Sequence, residues 1–146
     1  MDKKEKQQEL QRILIEAENY KRQAENIGRE MQIILNSKNE LNSAKDVLSS
    51  MKEKKSGIDM LVPVGFGLFV KAKLTNTENI LLGIGADVSV EKTVDEAIEF
   101  LNKRDKEIED AVNRFQQIAA QINNKLLELD SRSRRLMGEL QGEDNP

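Results

Sequence analysis

The chain has 146 residues, of which 34% are charged and only 3% aromatic, with 23 basic and 26 acidic residues giving a net charge of −3. That is one domain's worth of chain, suited to thin solvated helices rather than a thick core, and so little apolar bulk favours oligomerisation. Cysteine and histidine are both absent. This excludes disulfide frameworks, zinc–thiolate sites and thiol nucleophiles, together with Ser–His and Cys–His constellations and imidazole ligands. The near-balanced charge asks for neither nucleic acid nor an anionic membrane.

The opening MDKKEKQQEL is charged and leads into no apolar signal core, and no run of about 18 apolar residues is present. A cytoplasmic protein is therefore expected. Residues 3–55 are expected to form the first helix and its end. Alternating steps of three and four from Leu10 land on Ile13, Ala17, Tyr20, Ala24, Ile27, Met31, Ile34, Lys38 and Leu41, so every position but Lys38 is apolar. A 3.5-residue period is the mark of a coiled-coil seam. Beyond Leu41 the phase loosens. Lys45 lies on the strict continuation and Ala44 one residue earlier, and Leu48 and Met51 then resume the stripe. Gly28 either allows close helix approach or is tolerated at roughly 1 kcal/mol. Lysines in KEKKSG suit a helix C-terminus, with Gly57 as a candidate left-handed cap.

Across 58–92 the period changes to two. Met60, Val62 and Val64 alternate, as do Leu68, Val70, Ala72 and Leu74, then Ile80, Leu82 and Ile84, then Val88 and Val90. Gly65-Phe66-Gly67 and Gly85-Ala86-Asp87 are the expected turns, and Thr75-Asn76-Thr77 with Asn79 marks the middle connection. This gives four short strands in two hairpins. Pro63 lacks an N–H, so its strand should be an edge or carry a bulge there. Such small sheets need partners.

Thr93 followed by Glu96 is a capping box opening the last helix, expected over 93–140, with a disordered tail at 141–146. From Val94 the seam runs through Ile98, Leu101, Asp105, Ile108, Val112, Phe115, Ala119, Ile122, Leu126, Leu129, Ser133, Leu136 and Leu140, interrupted only at Asp105 and Ser133. The expected fold class is α+β: a long antiparallel two-helix coiled coil joined by two central β-hairpins. Each helix would be roughly 70 Å long, with both chain ends at one tip. Lys38 and Asp105 fall at similar heights in such a hairpin, and a contact between them would specify register more than add stability.

The candidate chemistry is sparse. Gly83-Ile84-Gly85 lacks the third glycine of a dinucleotide fingerprint, Val88 standing in its place, and a strand follows it. The carboxylate pairs Glu16 and Glu18, Asp95 and Glu96, and Glu107 with Glu109 and Asp110 fit a solvated helix face better than acid–base catalysis, which needs a pocket. Arg132, Arg134 and Arg135 form a basic patch that a helix C-terminus explains without nucleic acid. Apolar residues beyond the seam's needs, Leu14, Ile15, Leu127 and Met137, are either scattered surface hydrophobes or an adaptable protein-binding surface.

At Val62-Pro63-Val64-Gly65-Phe66-Gly67-Leu68-Phe69 the chain resembles the α class of prefoldin subunits, an archaeal and eukaryotic chaperone family. Gly83-Ile84-Gly85, the strand ending in Glu91-Lys92, and Asp95-Glu96-Ala97-Ile98 extend the resemblance. It implies one prefoldin-type domain over 1–146 in a hexamer of two α and four β subunits. The hairpins would join into a β-barrel platform. Coiled-coil tips would capture non-native polypeptides and pass them to a group II chaperonin, with no cofactor and no ATP hydrolysis. Carried over by position, the assembly surface lies at 60–74 and 80–91, on Val62, Val64, Phe69, Val70, Leu74, Ile80, Leu82, Ile84, Val88 and Val90. The client-binding tips fall on Leu10, Ile13, Leu14, Leu136, Met137 and Leu140. The competing readings are a coiled-coil tether or scaffold for one folded partner, and a homo-oligomeric, filament-forming paralogue. An enzyme is the weakest reading.

Overall fold

The computed structural model describes residues 2–54 and 57–144. The element order is α1 (Lys3–Glu53), β1 (Ile58–Gly65), β2 (Leu68–Leu74), β3 (Asn79–Gly85), β4 (Val88–Thr93) and α2 (Val94–Asp144). Helix α1 starts because Asp2 caps it. The Asp2 carboxylate accepts from the Glu5 N–H at 2.8 Å, and the Asp2 carbonyl accepts the Lys6 N–H at 3.0 Å. Helix α2 opens on the capping box read from the sequence. The Thr93 hydroxyl accepts the Glu96 N–H at 3.1 Å, while the Glu96 carboxylate accepts the Thr93 N–H at 3.3 Å. The hydrogen bonds from Thr93 hold the Glu96 carboxyl below its usual range.

Three local expectations are corrected. Residues 141–144 are helical rather than a disordered tail, since extending a formed helix adds one hydrogen bond per residue fixed. Residues 145 and 146 lie outside the described residues. Helix α1 ends at Glu53, so Lys54 is not helical, and Lys55 lies outside the described residues. Gly57 does not take a left-handed φ. Its role is steric, because a Cβ there would meet the Lys73 side chain at 2.9 Å. Gly28 has open space around it, so it is tolerated in the helix and brings no backbones together.

The contacts divide the chain into two compact units. The terminal unit contains α1 through Leu35 and α2 from Asp110. Within it the two helix segments run antiparallel, as shown by the cross-helix pairs Glu9–Arg132 at 2.5 Å and Lys6–Glu139 at 3.7 Å. Its core is Ile13, Leu129 and Leu136, flanked by Leu10, Ala17 and Tyr20. All of these lie on the expected seam. The buried Ser133 interrupts the stripe without an unsatisfied hydroxyl, because it donates to the Asp130 carbonyl at 2.9 Å.

The central unit spans Asn36–Glu109 and carries both hairpins. Its helix segments are also antiparallel. Leu48, Met51, Val94 and Ala97 form a buried cluster against which Ile58, Leu74, Ile80, Ile98 and Leu101 pack. The base of each hairpin is thereby tied to the helix ends. The seam charges meet here. Lys38 donates to Asp105, and Lys45 reaches the other carboxylate oxygen at 3.0 Å. The loosened phase after Leu41 has a use: it leaves both Ala44 and Lys45 half-buried, and Lys45 gives Asp105 a second cation.

The hydrogen bond from Lys38, then that from Lys45, holds the Asp105 carboxyl below its ordinary range. A carboxyl depressed by folding adds stability above its unfolded pKa of 3.8, lost as pH falls through the lower folded value. We expect wild-type thermal stability to drop on acidification below the ordinary carboxylate range. Asp105→Asn should remove this group's share of that drop and lower stability at neutral pH, because two lysines would then face no anion. Melting curves followed by circular dichroism from pH 7 to pH 3 test this. An unchanged neutral melting temperature would show that the triad contributes nothing.

The hairpins form two separate antiparallel two-stranded sheets, β1–β2 and β3–β4. They are structural repeats. Adding twenty to each residue number carries Met60-Leu61-Val62 onto Ile80-Leu81-Leu82, and Gly65 onto Gly85. Each register shifts just before the turn, between Pro63 and Gly65 and between Gly83 and Gly85. The bulge at Pro63 is the one its missing N–H called for. Both loop residues of each turn take positive φ, Phe66 at 51° with Gly67 at 76°, and Ala86 at 50° with Asp87 at 59°, and so do the glycines that end the preceding strands, Gly65 at 110° and Gly85 at 105°. This is the type I′ geometry that matches strand twist. Between the hairpins the Asn76 side chain accepts the N–H groups of Glu78 and Asn79 at 3.0 and 3.1 Å, closing the connection as an Asx turn.

Candidate functional site

The two units each present apolar surface that the chain does not cover itself. In the hairpins, cross-strand partners share a face. Ile58↔Leu74, Met60↔Ala72 and Val62↔Val70 make one face of the first hairpin, and Ile80↔Lys92 and Leu82↔Val90 the matching face of the second. Only the base of that face is covered by the helices, through Ile58, Leu74 and Ile80. Beyond the base, Met60, Val62, Val64, Leu68, Val70, Ile84 and Val88 are exposed, and Phe66 in the turn is fully exposed. The second face carries Leu61, Phe69 and Leu81, also exposed.

Of the residues assigned to assembly, Val62, Val64, Phe69, Val70, Ile84 and Val88 are thus open. Leu82 and Val90 are half-buried, and Leu74 and Ile80 are spent on the helices. Leu61, Leu68 and Leu81 fall within the spans 60–74 and 80–91 but were not among the residues named there. They belong to the same surface, and only knowing that neither sheet face is covered beyond the base reveals it. Strand edges and apolar faces left open in this way mark a surface for other chains.

The terminal unit sorts the six tip residues. Ile13 is 2% exposed and Leu136 is 9% exposed. Both are seam residues that hold the helices together, so neither offers surface to another molecule while the coil is closed. Leu10 and Leu140 are half-buried along the same stripe. Leu14 is 56% exposed, and Met137 is also open. Ile15 and Leu127, read in the sequence as surplus apolar residues, are exposed as well. The sequence signal for them was position: each lies off the 3.5-residue stripe yet is apolar.

Ile13, Leu14, Ala17, Leu126, Leu127 and Leu129 line a groove of about 310 Å³, with Lys21 and Asp130 at its margin. A second groove of about 470 Å³ is polar, lined by Lys6, Glu9, Arg132, Arg135, Leu136 and Glu139. The arginine patch is partly neutralised there and nearby, with Arg132 on Glu9 and Arg134 on Asp130 at 3.2 Å. Among the described residues no group of three His, Cys, Asp or Glu could hold a metal, and no helix is long and apolar enough to cross a membrane.

Antiparallel helix segments in each unit, with two hairpins whose apolar faces stay open beyond their bases, define a coiled-coil chain with exposed apolar surface. The family model described as "Prefoldin subunit" matches residues 20–137. Prefoldin subunit alpha of Methanopyrus kandleri is 39% identical over 111 residues, covering 76% of this chain and 71% of that one. Prefoldin subunit alpha of Methanobrevibacter smithii is 29% identical over 136 residues, covering 93% and 92%. Among solved structures, a chain of filamentous PFD from Methanocaldococcus jannaschii, determined by cryo-EM, superposes with a TM-score of 0.66 at 23% identity. It covers 79% of this chain and 95% of that chain, and it bears out the fold. The chain belongs to the prefoldin family, as a chaperone subunit of the α class.

Proposed function

We propose that this chain is a subunit of a cytoplasmic, ATP-independent chaperone. It captures non-native polypeptides on the apolar surface of its terminal unit and hands them to a group II chaperonin. The observation that carries the reading is the set Leu14, Ile15, Leu127 and Met137, all exposed on a unit whose seam is already closed without them. Flexible leucine and methionine side chains adapt to different partners. The hairpins supply the platform. Their open faces join those of a second α subunit and four prefoldin β subunits, closing the exposed strand edges into a β-barrel.

Capture by several such units works by multivalency, because each weak contact raises the effective concentration for the next. No bond is made or broken, and no nucleotide is needed. The test is light scattering from a denatured client diluted into the complex of this chain with prefoldin β subunits. Aggregation should be suppressed without nucleotide, and added ATP should change nothing. A complex that binds one native protein saturably and leaves client aggregation untouched would favour a tether and sink the chaperone reading.

A further inference from the structure

The terminal unit has two unlike flanks. In a helix, the residue directly before a seam residue and the one directly after it point about 100° to either side of the seam. In an antiparallel pair, the leading positions of both helices fall on one side and the trailing positions on the other. The two grooves of the unit divide in this way. The polar groove takes Glu9, Arg132, Arg135 and Glu139, each directly before a seam residue. The apolar groove takes Leu14 and Leu127, each directly after one. One flank of the coil is therefore apolar and the opposite flank is charged.

The charged flank holds more cations than its own carboxylates engage. One oxygen of Glu9 meets Arg132 at 2.5 Å, and the other meets Arg12 at 3.7 Å. Glu139 faces Lys6 at 3.7 Å. Arg135 lines the same groove and is exposed, and among the described residues it takes part in no ion pair. The helix end does not account for it either. Helix α2 continues to Asp144, nine residues beyond Arg135. The favourable field of a helix C-terminus fades within the last turn, so the macrodipole explanation of the arginine patch fails at this position.

A guanidinium presents a planar fork of donors that matches a carboxylate through two parallel hydrogen bonds. Arg12 and Arg132 add positive field around Arg135, although both lean on Glu9. The neighbouring Leu136 is buried in the seam and fixes the helix on which Arg135 stands. We infer that the charged flank of the terminal unit binds an acidic segment of a partner protein, with Arg135 holding an aspartate or glutamate side chain of that segment. The site lies across the coil from the apolar groove, so an acidic partner and a non-native client can occupy one terminal unit together. This goes beyond the capture of clients and does not rest on it.

Fluorescence anisotropy on the full chain tests the inference. The probe is a fluorescein-labelled peptide of alternating glutamate and glycine, amidated at its C-terminus, and the control replaces every glutamate by glutamine. The acidic peptide should bind and the control should not, and binding should weaken as salt is raised. Arg135→Gln should weaken binding about tenfold. Arg135→Lys should recover only part of that loss, because an ammonium holds a carboxylate as a point charge. Arg134→Gln removes the same charge directly after a seam residue, where Arg134 is paired with Asp130, and should leave affinity unchanged. Leu127→Ser on the apolar flank should leave it unchanged as well. All three positions are exposed, so thermal melting should match wild type in every variant.

Wild-type chain that binds both peptides alike, or neither, overturns the inference. So does an Arg135→Gln variant that binds as wild type does. An equal loss in Arg134→Gln overturns it by making the effect one of net charge, and an equal loss in Leu127→Ser overturns it by placing the peptide on the apolar flank. Tighter binding of a thymidine oligonucleotide, lost in Arg135→Gln, overturns it by assigning the guanidinium to phosphate. Failure of the complex with β subunits to suppress client aggregation removes the chaperone reading and leaves the peptide result standing.

Discussion

Replacing Leu14, Ile15, Leu127 and Met137 together by serine should abolish suppression of client aggregation while leaving helix content and assembly intact. The four residues are exposed, so little of their apolar surface stabilises the fold, and removing it leaves no cavity. What is lost is surface offered to the client. Burying a leucine-sized side chain is worth about 1.5–3 kcal/mol. Each residue gives up only part of that, but multivalent capture multiplies the loss over every copy engaged. The seam residues serve as the contrast. Ile13→Ser would also impair protection, but by opening the coil, since Ile13 is packed against Leu129 and Leu136. Light scattering read beside thermal melting separates the two. Full protection by the fourfold serine variant would remove the terminal unit from client capture, and loss of protection accompanied by melting would show that the surface is structural.

Leu48→Ala or Met51→Ala should destabilise the chain by about 2–5 kcal/mol, the ordinary cost of emptying a packed site. A mid-range loss corresponds to a fall in melting temperature of roughly 10 °C in a chain of this size. The cost is large here because the cluster of Leu48, Met51, Val94 and Ala97 carries more than a seam. Ile58, Leu74 and Ile80 pack on it, so it also fixes the bases of both hairpins. Val47→Ala, one residue away but exposed, should cost little. The core variants should therefore lose helix content on mild heating and lose assembly with it, and Val47→Ala should lose neither. Equal melting temperatures for Leu48→Ala and Val47→Ala would show that the cluster does not anchor the hairpins.

The contrast between residues 47 and 48 also shows how far the sequence can be read. Adjacent apolar residues in a helix point about 100° apart, and phase alone told which of them the partner helix would cover. The seam from Leu10 to Leu41, the Thr93–Glu96 box, the bulge at Pro63 and the Lys38–Asp105 contact were legible for the same reason. Each is fixed by neighbours in sequence or by a regular period carried across a hairpin of known sense. Lys45 was visible only as a misfit in that period. Its reach to Asp105 needed the two helices placed side by side.

The alternation of residues and turn chemistry, read in one dimension, determined this chain's elements: two helices with one apolar stripe each, and two hairpins between them. Which apolar residues remain available to another protein was decided only by packing. Ile13 and Leu14 are equally greasy in sequence, yet one is sealed inside the coil and the other faces outward. Gly57 likewise gained its reason from Lys73, sixteen residues away in sequence, whose side chain would crowd any Cβ placed there. Local rules set backbone conformation because the forces behind them act between near neighbours. Exposure depends on what distant segments cover, and no local pattern carries that.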